Sequence, residues 1–140
     1  MKLKFALAGV VASLMVAALP VWAHHSFAAE YDQSKPVTLK GKFTHMDWTN
    51  PHSWVHFDVV GADGKVTSWK AETPPPNGLY RSGWRKETIK AGEEVEVKGF
   101  AAKDGSATMW SSGVTLLSSG VTLGLGSRPP GEGPAAAKGK

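Results

Sequence analysis

Five histidines are the side chains of this chain best suited to chemistry, and they crowd into its first half: His24, His25, His45, His52 and His56. There is no cysteine, which excludes disulfides, thiolate metal sites and cysteine catalysis. A metal ion would have to be held by imidazole, carboxylate, amide or a chain terminus. The first two histidines gain their interest from what precedes them. Val21-Trp22-Ala23 has the form of a leader-peptidase site, and cleavage after Ala23 makes His24 the first residue of the mature chain. Its free α-amine, which titrates at roughly 7.7–8.0, and its ring nitrogen then chelate one ion together.

Three histidines fall where one strand is expected to end and the next to begin, in His45-Met46-Asp47-Trp48-Thr49-Asn50-Pro51-His52-Ser53-Trp54-Val55-His56. His52 and His56 share strand parity but stand on the order of 13 Å apart at their backbones, too far to chelate one ion. The expected metal set is therefore His24 through amine and ring with His52 as a third ligand, while His25 offers a different route, through its ring and a nearby amide nitrogen. Amine and imidazole nitrogens in a planar set suit copper(II), which is the one cofactor the pattern suggests. The competing reading makes His24 and His25 polar residues beside a cleavage point, lets His52 pin the turn by a hydrogen bond, and leaves His45 and His56 on the surface.

A second kind of chemistry is stacking. Trp48, Trp54, Trp69, Trp84 and Trp110 are a heavy load for one small domain. Trp54 has parity opposite to Val55 and Phe57, so Trp54, with Trp48 and Asn50 of the Trp48-Thr49-Asn50-Pro51-His52 corner, is the expected ligand-binding surface. The alternative is that the tryptophans are core. No Gly-x-Ser-x-Gly, His-Glu-x-x-His or phosphate loop occurs, and Asp47, Asp58 and Glu72 show no pairing of acid with base. The chain is expected to be a binding protein and no enzyme.

The elements that must position these residues read as strands. Val37 to Phe43 alternates with period two and puts Val37, Leu39 and Phe43 on one face; Trp54 to Val60 follows, and Val66 to Thr73 returns after a Gly61–Lys65 turn. Pro74-Pro75-Pro76-Asn77-Gly78 breaks the ladder, and Leu79 to Thr88 holds a short helix or an irregular turn. A strand with Val95 and Val97 inward comes next, then a turn at Lys103–Ser106 and a strand from Ala107 to Leu116. This order predicts an all-β fold, a small five-stranded Greek-key barrel of the oligonucleotide/oligosaccharide-binding (OB-like) kind, with an immunoglobulin-like sandwich as the rival.

Two boundaries frame it. Residues 1–23 read as a signal peptide, with Lys2 and Lys4 ahead of the apolar Phe5–Val21 and small Ala23 at the end. The apolar stretch is shorter than the about 20 residues a spanning helix needs, so no stable membrane anchor is expected after cleavage, and the product is periplasmic or secreted. Residues 24–36 form an N-terminal arm, 37–123 the barrel, and 124–140, rich in glycine, proline and alanine, a disordered tail. Ser111-Ser112-Gly113-Val114-Thr115-Leu116 is echoed by Ser118-Ser119-Gly120-Val121-Thr122-Leu123; the second copy either extends the last hairpin or substitutes for the first. The formal charge of +4 includes the two leader lysines, so the mature chain is nearly balanced and nucleic acid is not indicated as a partner. A metal ion or a periplasmic protein is.

His24-His25-Ser26-Phe27 with Tyr31-Asp32, then Gly41, Trp48-Thr49-Asn50-Pro51-His52, Trp69, and Ala91-Gly92-Glu93 running into Val95-Glu96-Val97-Lys98-Gly99 resemble an exported bacterial family catalogued as domain of unknown function 6152. The likeness spans about residues 24–116 and rests most on the double histidine and the Asn-Pro-His corner. It implies an exported small β-barrel and no particular activity.

Overall fold

A computed structural model describes residues 27–125 of the chain. The leader, His24 and His25 lie outside the described residues, as does the tail from residue 126. Within them, a short helix α1 (Phe27–Glu30) leads into β1 (Tyr31–Asp47), β2 (Ser53–Val60) and β3 (Val66–Thr73). Helix α2 (Pro76–Arg81), β4 (Glu94–Ala102), β5 (Thr108–Leu116) and β6 (Thr122–Leu123) follow. No helix among the described residues is long and apolar enough to cross a membrane.

The strands form one mostly antiparallel sheet in the order β3-β2-β1-β4-β5-β6, and β5 also pairs in parallel with β3. Six strands stand where five are expected. The sixth comes from the repeat, whose second copy folds back on the first: Thr115 pairs with Thr122 and Val114 with Leu123, so the final hairpin is extended. The β2–β3 hairpin runs as its alternation requires, with Ser53 opposite Thr73 at one end and Val60 opposite Val66 at the other.

β1 is far longer than the alternation around Val37–Phe43 shows, and it serves two partners. Its first part pairs with β4 as far as Lys42 opposite Glu94, and its last part pairs with β2 from Lys42 opposite Asp58 onward. Residues of the expected arm are thus strand. At the crossover a side chain would collide with the neighbouring strand, since a Cβ on Gly41 would sit 2.4 Å from the Asp58 carbonyl oxygen. Gly99 plays the same part on β4, next to a register shift, where a Cβ would lie 1.8 Å from the Trp110 carbonyl oxygen.

The inner faces of the strands give the core: Phe43, Val55, Phe57, Ala71, Val95, Val97, Met109 and Val114, closed by Leu79 of α2 and by Trp84 and Ile89 of the following loop. The proline run breaks β3 as expected, yet the helix starts inside it, at Pro76. Proline suits the first helical turn, where its missing N–H would have no partner anyway. Gly124 and Leu125, read with the tail by composition, belong to the fold: Leu125 is buried in the core, and Trp84 Nε1 donates to the Gly124 carbonyl at 2.9 Å.

A second, smaller cluster lies on the outside of the sheet. Phe27 of α1 packs edge-on against Phe100 and Trp110, with ring centroids 5.8 and 5.3 Å away, and Tyr31 lies beside it. Lys103 fastens the helix from the β4–β5 turn, its backbone N–H donating to the Glu30 carbonyl and its ammonium to that of Ala28. Tyr31 is buried and donates its hydroxyl proton to the Glu72 carboxylate on β3. Only Asp32–Lys35 loops away, in a turn where Ser34 donates to Asp32, before β1 rejoins β4 at Pro36.

Two expectations follow. Gly99→Ala forces backbone apart from backbone and should cost about 1–3 kcal/mol, visible as a lower melting temperature in thermal circular dichroism; an unchanged melting point would mean that the strands do not approach so closely there. Burial, reinforced by the Glu72 charge, pushes the Tyr31 phenol above its ordinary range. The folded chain keeps a proton that the unfolded chain gives up near pH ~10, so stability falls as pH rises beyond ~10. Urea midpoints on either side of that pH should converge less steeply for Tyr31→Phe than for the wild type; identical slopes would contradict the assignment.

Candidate functional site

Antiparallel register turns the outward side chains of the sheet into rows. Asp47, Trp54, Glu72 and Trp110 make one row running from β1 through β2 and β3 to β5, and His45, His56, Lys70 and Thr108 make the next. On β2 the expected parity holds: Ser53, Val55 and Phe57 are buried, while Trp54, His56 and Asp58 lie half-buried on the opposite face.

Glu72 is the centre of the first row, and only 8% of it is exposed. A carboxylate withdrawn from water to that degree needs donors, because an unpaired charge there is costly. It has one, and an imidazole beside it. The Tyr31 hydroxyl donates to Oε2, and His52 Nδ1 lies 2.8 Å from Oε1. No buried side-chain nitrogen or oxygen among the described residues lacks a partner.

This contact turns Nδ1 of His52 toward β3 and leaves Nε2 on the far side of the ring. The side chain is 46% exposed, and Nε2 makes no hydrogen bond within the described residues. A carboxylate that orients an imidazole in this way is the usual outer partner of a metal-binding histidine. The corner before it is tied by Thr49, whose hydroxyl donates to the His52 carbonyl at 2.7 Å, and Asn50-Pro51 is a cis peptide. The His52 ring is therefore directed across the sheet to β3, and the turn is held by its neighbour.

The stacking residues separate. Trp54 stays on the outer face, with the Lys70 ammonium 4.8 Å from its ring centroid. Trp48 has the opposite parity; it packs against the core and stacks on Tyr80 at 5.1 Å between centroids. Asn50 is exposed at the corner. Trp84 and Trp110 are buried, the first in the main core and the second under Phe27.

Two clefts flank the β4–β5 turn. One of about 750 Å³ opens between α1 and the Trp54, Lys70 and Thr108 side of the sheet, with Lys103 and Asp104 at its rim. The other, about 560 Å³, is lined by His45, His56, Asp58, Ser68 and Lys70. Hydrogen bonds from Ser106 hold the Asp104 carboxyl below its ordinary range, so it stands ionised beside the Lys103 ammonium.

Sequence reasoning missed Glu72 as the partner of His52 and Tyr31 as the partner of Glu72, and left His45 and His56 as separate surface residues. Counting back from the Gly61–Lys65 turn would have placed Glu72 opposite Trp54, two residues from His52. Nothing local would have brought Tyr31 there.

The family of unknown function DUF6152 matches over residues 10–111. No curated protein matches the chain. Among solved structures, the ZRD-deleted mutant of TiaS in complex with agmatine is similar at a TM-score of 0.44 and 20% identity, over 71% of this chain and 24% of that one. A complex of TiaS with an isoleucine transfer RNA and ATP is similar at 0.40 and 21%, over 61% of this chain and 18% of that one. The chain thus spans a quarter or less of the length of these proteins. It belongs to the family of unknown function DUF6152.

Proposed function

We propose that the protein is an exported, non-enzymatic, OB-like β-barrel that binds copper(II) at the start of β2, with His52 giving one imidazole and the mature N-terminus the rest. The barrel reading is supported by the strand order, in which β3 and β5, the ends of the run β3-β2-β1-β4-β5, also pair with each other. In OB-folds the face of strands two and three, between the loops after strands one and four, is where ligands are held. His52 lies at that first loop and Lys103–Ala107 is the second. Export is supported by the leader pattern of residues 1–23.

The observation that carries the metal reading is the chain Tyr31–Glu72–His52. Glu72 orients the His52 ring and, through Tyr31, fastens the segment that follows the mature N-terminus. Cleavage after Ala23 puts His24 three residues before Phe27, a reach of at most about 11 Å from a residue that packs on Trp110, the cross-strand partner of Glu72. Amine, two imidazoles and a position left for His25 make a nitrogen set suited to Cu(II).

Titrating Cu(II) into protein cleaved after Ala23 should give a tight first equivalent with nitrogen hyperfine structure in its spin-resonance spectrum, an equivalent that depends on the free terminus. Glu72→Gln should weaken binding about 10–100-fold through misorientation of His52, and His52→Ala should weaken it further. A form carrying one extra residue before His24 should lose the site; equal binding by that form overturns the N-terminal reading.

A second reading, a module for a peptide, glycan or partner protein, draws on the larger cleft, where a planar or anionic group would displace Lys70 from the face of Trp54. Ligand addition should then change tryptophan emission, and Trp54→Ala should abolish the change; emission unmoved by ligand panels counts against it.

A further inference from the structure

Four residues along β2 from His52, the sheet assembles a second set of metal-ligating groups. A regular β1 would send His45 inward with Phe43, because alternate residues share a face. The irregularity between Phe43 and His45 inserts Thr44 and reverses that parity, so His45 emerges on the outer face directly opposite His56. Asp47, two residues on and on the same face, stands diagonally across from His56. The His45 and His56 rings stack, with centroids 4.2 Å apart and planes 8° from parallel. Asp47 Oδ2 accepts from His56 Nε2 at 2.9 Å, and its Oδ1 lies 3.9 Å from His45 Nε2. One ligand atom from each of the three residues lies within 4.8 Å of the others.

We infer that His45, Asp47 and His56 form a binding site for a borderline divalent cation of the zinc type, separate from the copper site proposed at His52. Two imidazoles and a carboxylate match such ions, whereas calcium and magnesium call for oxygen ligands. Bonds of roughly 2.0–2.2 Å to a tetrahedral ion require donor atoms roughly 3.4 Å apart, so the groups close by about 1 Å and the rings tilt out of their stack. The exposure pattern permits this movement. The side chains of His45 and Asp47 are 60% and 49% exposed and free to swing, while that of His56, at 25%, is the fixed member. Thr44 Oγ1 lies 3.1 Å from His45 Nδ1, which leaves Nε2 of that ring for the ion. Lys70, opposite His56 on β3, lines the same cleft and carries its ammonium over the Trp54 ring, 4.8 Å from the centroid. Three protein ligands on an open cleft leave a fourth position for water or an incoming group.

The site is tested in a mature chain whose N-terminal site is disabled, carrying one extra residue before His24 together with His52→Ala. Calorimetric titration with zinc chloride should give one equivalent, and Co(II) should give the visible bands of a tetrahedral nitrogen and oxygen set. Adding His45→Ala and His56→Ala should abolish both signals, and Asp47→Asn should weaken zinc at least about 10-fold. No zinc bound in the disabled chain, or one equivalent surviving loss of both histidines, overturns the inference. His45 and Asp47 are exposed and His56 lies half-buried on the outer face, all three outside the core, so circular dichroism should show the variants folded. Copper at the N-terminus is read in a different protein form, so either site can fail without the other.

Discussion

One strand with two partners is the constraint on which the rest of the structure depends. β1 gives its first part to β4 and its last part to β2, and it passes from one to the other where Gly41 lies against the Asp58 carbonyl. Everything chemical hangs from that division. The early part of β1 fixes Tyr31 beside β4 and next to the outer aromatic cluster. The late part places His45 and Asp47 beside β2. Had β1 stayed with one partner, these residues would not share a face with His52, His56 and Glu72.

Within that frame Glu72 links the two ends of the candidate copper site. It is a nearly buried carboxylate on β3, and its two oxygens are taken by groups from different elements: a tyrosine that opens β1 and a histidine that precedes β2. The Tyr31 donor lowers the cost of burying the charge, and the charge in turn holds the His52 imidazole beside it. The arrangement couples the anchoring of the N-terminal segment to the orientation of an imidazole, although Tyr31 and Glu72 are 41 residues apart in the chain.

Much of the fold was legible in the residues, and the losses have physical causes. Alternation located β2 and β3 and put Trp54 and His56 outward, because period-two patterning reports directly on which face is buried. It stops at Phe43 and is silent on His45, which lies past an inserted residue that reverses parity and leaves no mark in composition. β1 reaches back to Tyr31, into the arm expected at residues 24–36 from the loop-like composition of Asp32-Gln33-Ser34-Lys35; the register with β4 shifts across these four residues, and pairing resumes at Pro36. Leu125 was lost to a tail rich in glycine and proline because its burial depends on Trp84, 40 residues from the Gly124 carbonyl it bonds. The His52 corner was found from its turn chemistry, but its partner was set by cross-strand register, which no single segment encodes.

The repeat at the end of β5 has a consequence for solubility. β3 covers one side of β5 only at Thr108–Trp110, and the rest of that side would offer unpaired amide and carbonyl groups to any passing strand. The second copy covers Val114 and Thr115, and Thr115 and Thr122, equivalent positions of the two copies, join hydroxyls at 2.9 Å. β6 has only two residues, too few to template another chain. A duplication of seven residues thereby blunts an adhesive rim without disturbing a single pairing inside the sheet.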